Sequence, residues 1–167
     1  MILRCTKKAL DLLGSQATTL AETPPSDDDW YLNLVWVERR KCVLLIHAGT
    51  LFSVFAFDVR KADLHPIGPR IVGLIDKELR SENLPLDCLG HLNSDEVQIC
   101  RTASRSILAF MNEIVVHSRY FIANSGGLAH CDTRVLNRWL RRTLHNRGGY
   151  FTPMDLVEER LTDRRRS

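Results

Sequence analysis

None of the short motifs that announce a common chemistry is present. The chain has no GxxxxGK[ST] phosphate loop, no GxGxxG, no HExxH and no GxSxG. This removes the usual sequence evidence for nucleotide hydrolysis, dinucleotide binding, zinc-peptidase and serine-hydrolase activity. Cysteine is sparse and unpatterned: five residues, an odd number, with no paired CxxC. That argues against a disulfide framework and for a reducing, cytoplasmic compartment. No apolar run, Cys42 to Ile46 included, exceeds the size of a strand, so no membrane association is expected. The N-terminus, Met1-Ile2-Leu3-Arg4-Cys5, meets charge at once and lacks the apolar core of a signal peptide. Internal repeats and low-complexity segments are absent as well.

What is present is ordinary in amount and unusual in placement. The 167 residues, 44% hydrophobic and 26% charged, have the composition of a globular chain that can bury a core. Net charge is only +3. Residues 101–147, however, carry eight arginines, no lysine and just two acids, Glu113 and Asp132, for +6, against −3 over residues 1–100. Guanidiniums offer planar, paired donors that suit phosphate or carboxylate, so an anionic partner is expected.

The order of elements reads as α+β. Ile2 to Cys5 is a short strand, and Thr6 caps a helix that stops at Gly14. Trp30–Val37, Cys42–Ala48 and Leu51–Phe57 form an antiparallel three-stranded meander around the charged turn 38–41 and Gly49-Thr50. A helix from Gly68-Pro69 to Ser81 buries Ile71, Val72, Ile75 and Leu79, and Val97–Cys100 adds a strand. The longest helix, from Thr102 to Ile122, buries Ile107, Met111, Ile114 and Ser118, and Asn124-Ser125-Gly126-Gly127 breaks it. A basic helix from Asp132 to His145 buries Leu136, Trp139, Leu140 and Leu144. Thr152-Pro153-Met154-Asp155 then starts a last helix with cap, proline and acid in their preferred places. The expected organisation is a small antiparallel meander sheet packed by helices over residues 1–124, a helical extension over 125–163 and a flexible basic tail at 164–167.

Four groups of residues are candidates for function. In the basic helix, Arg134, Arg138, Arg141 and His145 recur at i, i+4, i+7 and i+11 with Arg142 at the edge, giving one stripe that could lie on nucleic acid or an acidic protein. In the helix before it, Arg105, Asn112 and Arg119 share a face. Arg101, Thr102 and Ser104 sit at its start, where free amides and the helix dipole favour an anion. Lys7 and Lys8 occupy the first turn of their helix, the unfavourable end for cations, which can mark a ligand site. Asn33 and His47 are polar residues in apolar strands and would complete a polar cleft if both faced the Arg105 helix.

No metal or cofactor is expected. Cys88 with His91 and His130 with Cys131 supply soft ligands only as near neighbours, and Glu113 with His117, at i and i+4, is half a metal site at most. Asp27-Asp28-Asp29 reads as a solvated loop.

Several separated motifs recur in order in one uncharacterised bacterial domain family that the chain resembles. They are Cys5-Thr6-Lys7-Lys8, Asn33 in an aromatic strand, the Arg39-Arg40-Lys41 turn, and Arg101-Thr102-x-x-Arg105-Ser106 followed by Met111-Asn112. The likeness covers residues 1–122, and some members of that family lie near plasmid or mobile-element genes. It implies no reaction, substrate or cofactor. It departs here at Phe110, where small residues precede Met-Asn.

The leading expectation is therefore a binding module for nucleic acid or another anion. An alternative is a phosphodiester-processing enzyme in which His47 is general base and Arg101, Arg105 and Lys7 stabilise phosphate charge. A third reading is an antitoxin-like or immunity-like protein-interaction domain.

Overall fold

A computed structural model describes residues 1–167. In chain order its main elements are β1 (Ile2–Cys5), α1 (Lys7–Leu13), β2 (Trp30–Val37), β3 (Arg40–His47), β4 (Ser53–Ala56), α2 (Ile67–Ser81), β5 (Gln98–Arg101), α3 (Arg105–Asn124), α4 (Thr133–Arg142), β6 (His145–Asn146), β7 (Tyr150–Phe151) and α5 (Pro153–Arg166). The meander is there, and the sheet is larger than the meander. Five strands lie in the order β4-β3-β2-β1-β5, and β1 runs parallel to both β2 and β5. The fold is α+β, with helices closing the C-terminal part.

Both sheet faces are covered. On one, Leu3, Trp30, Leu32, Leu45 and Val54 pack against α1, α2 and Val157 of α5. On the other, Tyr31, Val35, Leu44, Ile46 and Phe55 pack against α3 and α4. A strand buried on both faces shows a continuous apolar run, which is why Cys42–Ile46 lacks the alternation of a half-wet strand.

The hairpin register follows from its turn. Glu38 and Arg39 both adopt positive φ, 49° and 64°, the two-residue geometry whose twist matches the flanking strands. Each β2 residue therefore pairs with a β3 residue at a fixed sum: Asn33 with Leu44 and Trp30 with His47.

Neither sheet edge is left open. The Asn137 side chain of α4 both donates to and accepts from the Phe55 backbone of β4, at 2.9 and 2.7 Å. On β5, the Ile99 carbonyl accepts from Ala21 at 2.9 Å. Blocking bare ladder groups in this way discourages edge-to-edge pairing with other chains.

The C-terminal segment departs from expectation at three points. The basic helix ends at Arg142, because Thr143 is extended, and His145 lies in the short β6–β7 hairpin. Leu144 is exposed rather than buried. The 164–166 arginines continue α5, with Arg164 donating to the Asp87 carbonyl. The segment contributes to both cores through Leu136, Leu140 and Val157. No helix is long and apolar enough to cross a membrane.

Candidate functional site

Parallel pairing of β1 with β5 places Cys5 opposite Arg101. Two segments some 95 residues apart in sequence then leave the sheet side by side. Thr6 and Lys7 begin α1, which packs on one face; Thr102 to Ser104 lead into α3, which packs on the other. A point where neighbouring parallel strands send their helices to opposite faces is where open sheets of this kind form a crevice. Here the crevice is a groove of about 800 Å³, lined by Lys7, Asp11, Arg101, Thr102, Thr18 and Cys5 among others. A second hollow of about 480 Å³ adjoins it, sharing Thr18, Leu20, Arg101 and Thr102 and adding Arg4 and Thr23.

The hollow beside the groove has a built wall. Arg4 is 3% exposed, and its guanidinium reaches the Asp29 carboxylate at 2.5 Å, the Thr23 carbonyl at 2.7 Å and the Arg101 carbonyl at 3.3 Å. Asp29 accepts from the Ser26 amide as well, so it is a buried anchor for the 23–29 loop and not part of a solvated acid cluster. Thr6 caps α1 by accepting from Ala9, and its hydroxyl donates to Asn33 Oδ1 at 2.9 Å. The Tyr31 phenol lies beneath the Ala103 and Ser104 amides, its pKa raised chiefly by burial. Ser104 caps α3 by accepting from the Ile107 amide, leaving the other first-turn amides to a ligand or to water. Cys5 lines the groove, but burial and the adjacent Cys100 push its thiol up to about 12, so it is no thiolate nucleophile.

The candidate residues therefore divide. Lys7, Arg101 and Thr102 come together in the groove, whereas Ser104 caps α3 outside its lining, Lys8 and Arg105 are exposed, and Asn33 is bonded to Thr6. Asn112 and Arg119 are exposed further along α3, where Arg119 donates to the Trp36 carbonyl. Arg4, Asp29 and Thr18 were missed. A lone arginine in a four-residue strand gives no local sign that it will be buried.

His47 does not join the site. It pairs with Trp30 on the α2 and α5 side of the sheet, while α3 lies on the other side, so it cannot act as a base beside Arg101 or Arg105. Its Nδ1 accepts from the Thr50 amide at 3.2 Å. Burial, reinforced by the Arg160 charge, lowers its pKa from 6.5 to about 3. A buried neutral imidazole takes up a proton on unfolding anywhere below the unfolded value. Its contribution is complete above pH 6.5 and lost as pH falls towards 3, at up to about 1.4 kcal/mol per pH unit. His47→Asn keeps an acceptor for Thr50 and removes the titration. Denaturant unfolding across this range is expected to give a flatter pH dependence for the variant, and equal slopes would exclude His47 as the cause.

The arginine stripe is also broken up. Arg141 is fully buried, bonded to Glu78 at 2.9 Å, Glu82 at 2.7 Å and the Ser53 carbonyl at 3.1 Å, with its guanidinium over the Phe52 ring. Arg142 is exposed but held by Glu82 at 2.6 Å. Burial raises the Glu82 pKa, and hydrogen bonds from Arg142 and Arg141 more than reverse it, to about 2. Only Arg134 and Arg138 of the stripe remain exposed without an acidic partner.

The paired soft ligands fail to converge too. Cys88 lies in the α2-side core, whereas Cys131 packs against the α3-side core.

A family profile described as a domain of unknown function (DUF6933) matches residues 2–156, and the chain belongs to that family. The match runs beyond residue 122, through the basic helix and the β6–β7 hairpin into α5. α4 is thus part of the family's domain and not an addition to it. No curated protein matches the chain.

Proposed function

We propose that this member of the family binds a small phosphate-bearing anion in the groove at the carboxyl ends of β1 and β5. The observation that carries the reading is the Cys5–Arg101 register. It gathers two cations, Lys7 and Arg101, and two hydroxyls, Thr18 and Thr102, around one opening, on the segment that leads into a 20-residue helix. Cations supply attraction, while hydroxyls supply directed donors, which is the combination phosphate oxygens require. A volume of about 800 Å³ suits a small molecule. The wall is mixed, since Asp11 also lines it, and an acid beside the cations favours a ligand that carries a donor as well as its anionic group.

An extended nucleic-acid face on α4 has less support, because Arg141 points inward and Arg142 is neutralised by Glu82. A cytoplasmic setting belongs to the same reading. All five cysteines are free and four are buried, as in chains kept reduced.

Calorimetric titration with inorganic phosphate, pyrophosphate, nucleotides and a short oligonucleotide tests it. At least one small phosphate compound is expected to bind, with Lys7→Ala and Arg101→Ala each weakening it by roughly tenfold, the loss of one charge-assisted bond. Arg134→Ala/Arg138→Ala should bind as the parent does. Oligonucleotide binding that is lost in the Arg134/Arg138 variant and kept in the groove variants would overturn the reading in favour of α4. An acidic protein partner becomes the better reading if no phosphate compound binds.

A further inference from the structure

We infer that Glu113, His117 and His145 form a binding site for a divalent transition-metal ion of the zinc class, separate from the β1–β5 groove. Glu113 and His117 are one turn apart on α3 and project together. His145 reaches them from β6 because the chain turns back after Arg142. One ligand atom from each residue lies within 4.8 Å of the other two.

Two features argue that this is more than a surface ion pair. The first is unmet bonding capacity. The chain has five buried side-chain nitrogen or oxygen atoms without a hydrogen-bond partner, and two of them are His117 Nδ1 and His145 Nε2. A buried imidazole nitrogen without a partner is costly, and His117 Nδ1 is placed to give its lone pair to a metal ion, while His145 would use the Nδ1 that now faces Glu113. The second is orientation. His145 is 2% exposed, and its Nδ1 lies 2.6 Å from Glu113 Oε1. Its ring is packed between Phe110 at 4.8 Å and Phe151 at 5.8 Å, and it stacks with His117 at 5.7 Å and an interplanar angle of 29°. The imidazole pair is therefore aimed by an apolar wall that excludes competing water.

The donor set selects the ion. Two imidazoles and one carboxylate suit zinc and its neighbours in the first transition row, not calcium or magnesium, which prefer oxygen throughout. Two ligands on one tetrahedral zinc stand about 3.3 Å apart, so a small rotation of Glu113 that opens its 2.6 Å contact with His145 makes room for the ion. That side chain is 42% exposed and free to move. Three protein ligands leave a fourth position, on the Glu113 side, open to water or a small ligand.

The test uses the full chain, stripped with chelator and titrated with Zn²⁺ against a chromophoric competitor, and with Co²⁺ as the absorbing analogue. One equivalent is expected, with visible Co²⁺ bands of nitrogen and oxygen ligation and no near-ultraviolet thiolate charge transfer. Because His145 is core, its substitution tests folding as well as ligation. His117→Ala and Glu113→Gln, at partly exposed positions, decide the matter. Each should weaken Zn²⁺ by at least roughly tenfold, the least that losing a metal-site residue costs, with the circular-dichroism spectrum unchanged. His130→Ala should bind normally. Absence of a stoichiometric site, undiminished affinity in His117→Ala, or a thiolate band assigning the ion to Cys131 would each overturn the inference.

Discussion

Arg141→Ala is expected to lower the free energy of unfolding by about 3–5 kcal/mol, although its helix reads as a solvated basic face. The substitution leaves Glu78 and Glu82, whose side chains are 5% and 3% exposed, without the cation between them. It also strips the Ser53 carbonyl of its donor and Phe52 of the guanidinium stacked on it. Each bond taken alone is modest, and the cost lies in uncompensated buried charge at Glu78, since Glu82 keeps Arg142. Small domains are stable by only about 5–15 kcal/mol, so the variant should unfold near the edge of physiological conditions. Arg138→Ala, one turn away and exposed, should change stability by no more than about 0.5 kcal/mol. Denaturant midpoints of the two variants decide the matter, and equal midpoints would show that Arg141 carries no structural load.

Arg4→Met is the second large effect, expected at about 3–5 kcal/mol for the same reason, since it orphans the buried Asp29 carboxylate. It has a consequence that Arg141→Ala lacks. Arg4 ties the Thr23 and Arg101 carbonyls together, and both residues border the hollow beside the groove. Adding Asp29→Leu removes the orphaned charge, and the double variant should recover most of the lost stability. It should not recover anion binding, because nothing replaces the clamp on Arg101. Recovery of both would mean that Arg4 serves the core alone.

Local chemistry was legible in this sequence wherever one segment decided its own fate. Thr6 and Thr152 cap the helices they precede, as their positions predict, whereas α3 starts at Arg105 under a Ser104 cap, three residues after the expected Thr102. The buried face of α3, Ile107, Met111, Ile114 and Ser118, follows its period. Sheet contacts between distant segments were not legible. Nothing in Cys5-Thr6-Lys7 or Arg101-Thr102 says that β1 and β5 pair, so the groove exists in sequence only as two unrelated runs. The fate of the stripe was hidden for a similar reason, because the acids that draw Arg141 inward sit in α2, 59 and 63 residues away.

His47 could have been placed correctly. Given a two-residue turn at Glu38-Arg39, pairing sums fix Asn33 against Leu44 and His47 against Trp30, and parity alone then puts the two polar residues on opposite faces. The i, i+4, i+7, i+11 spacing predicts His145 as the last rung of a helix, but the helix stops three residues earlier, and the turn back that follows is what brings His145 to Glu113 and His117.

The central claim is that the β1–β5 opening, not the basic helix, meets an anion. Amide chemical-shift mapping during a phosphate titration of the ¹⁵N-labelled chain tests it most directly. The account requires saturable shifts at Thr6, Lys7 and the residues from Thr102 to Ser106, with Arg134 and Arg138 unmoved. Shifts gathered on α4, or spread evenly over surface arginines without saturation, would contradict it.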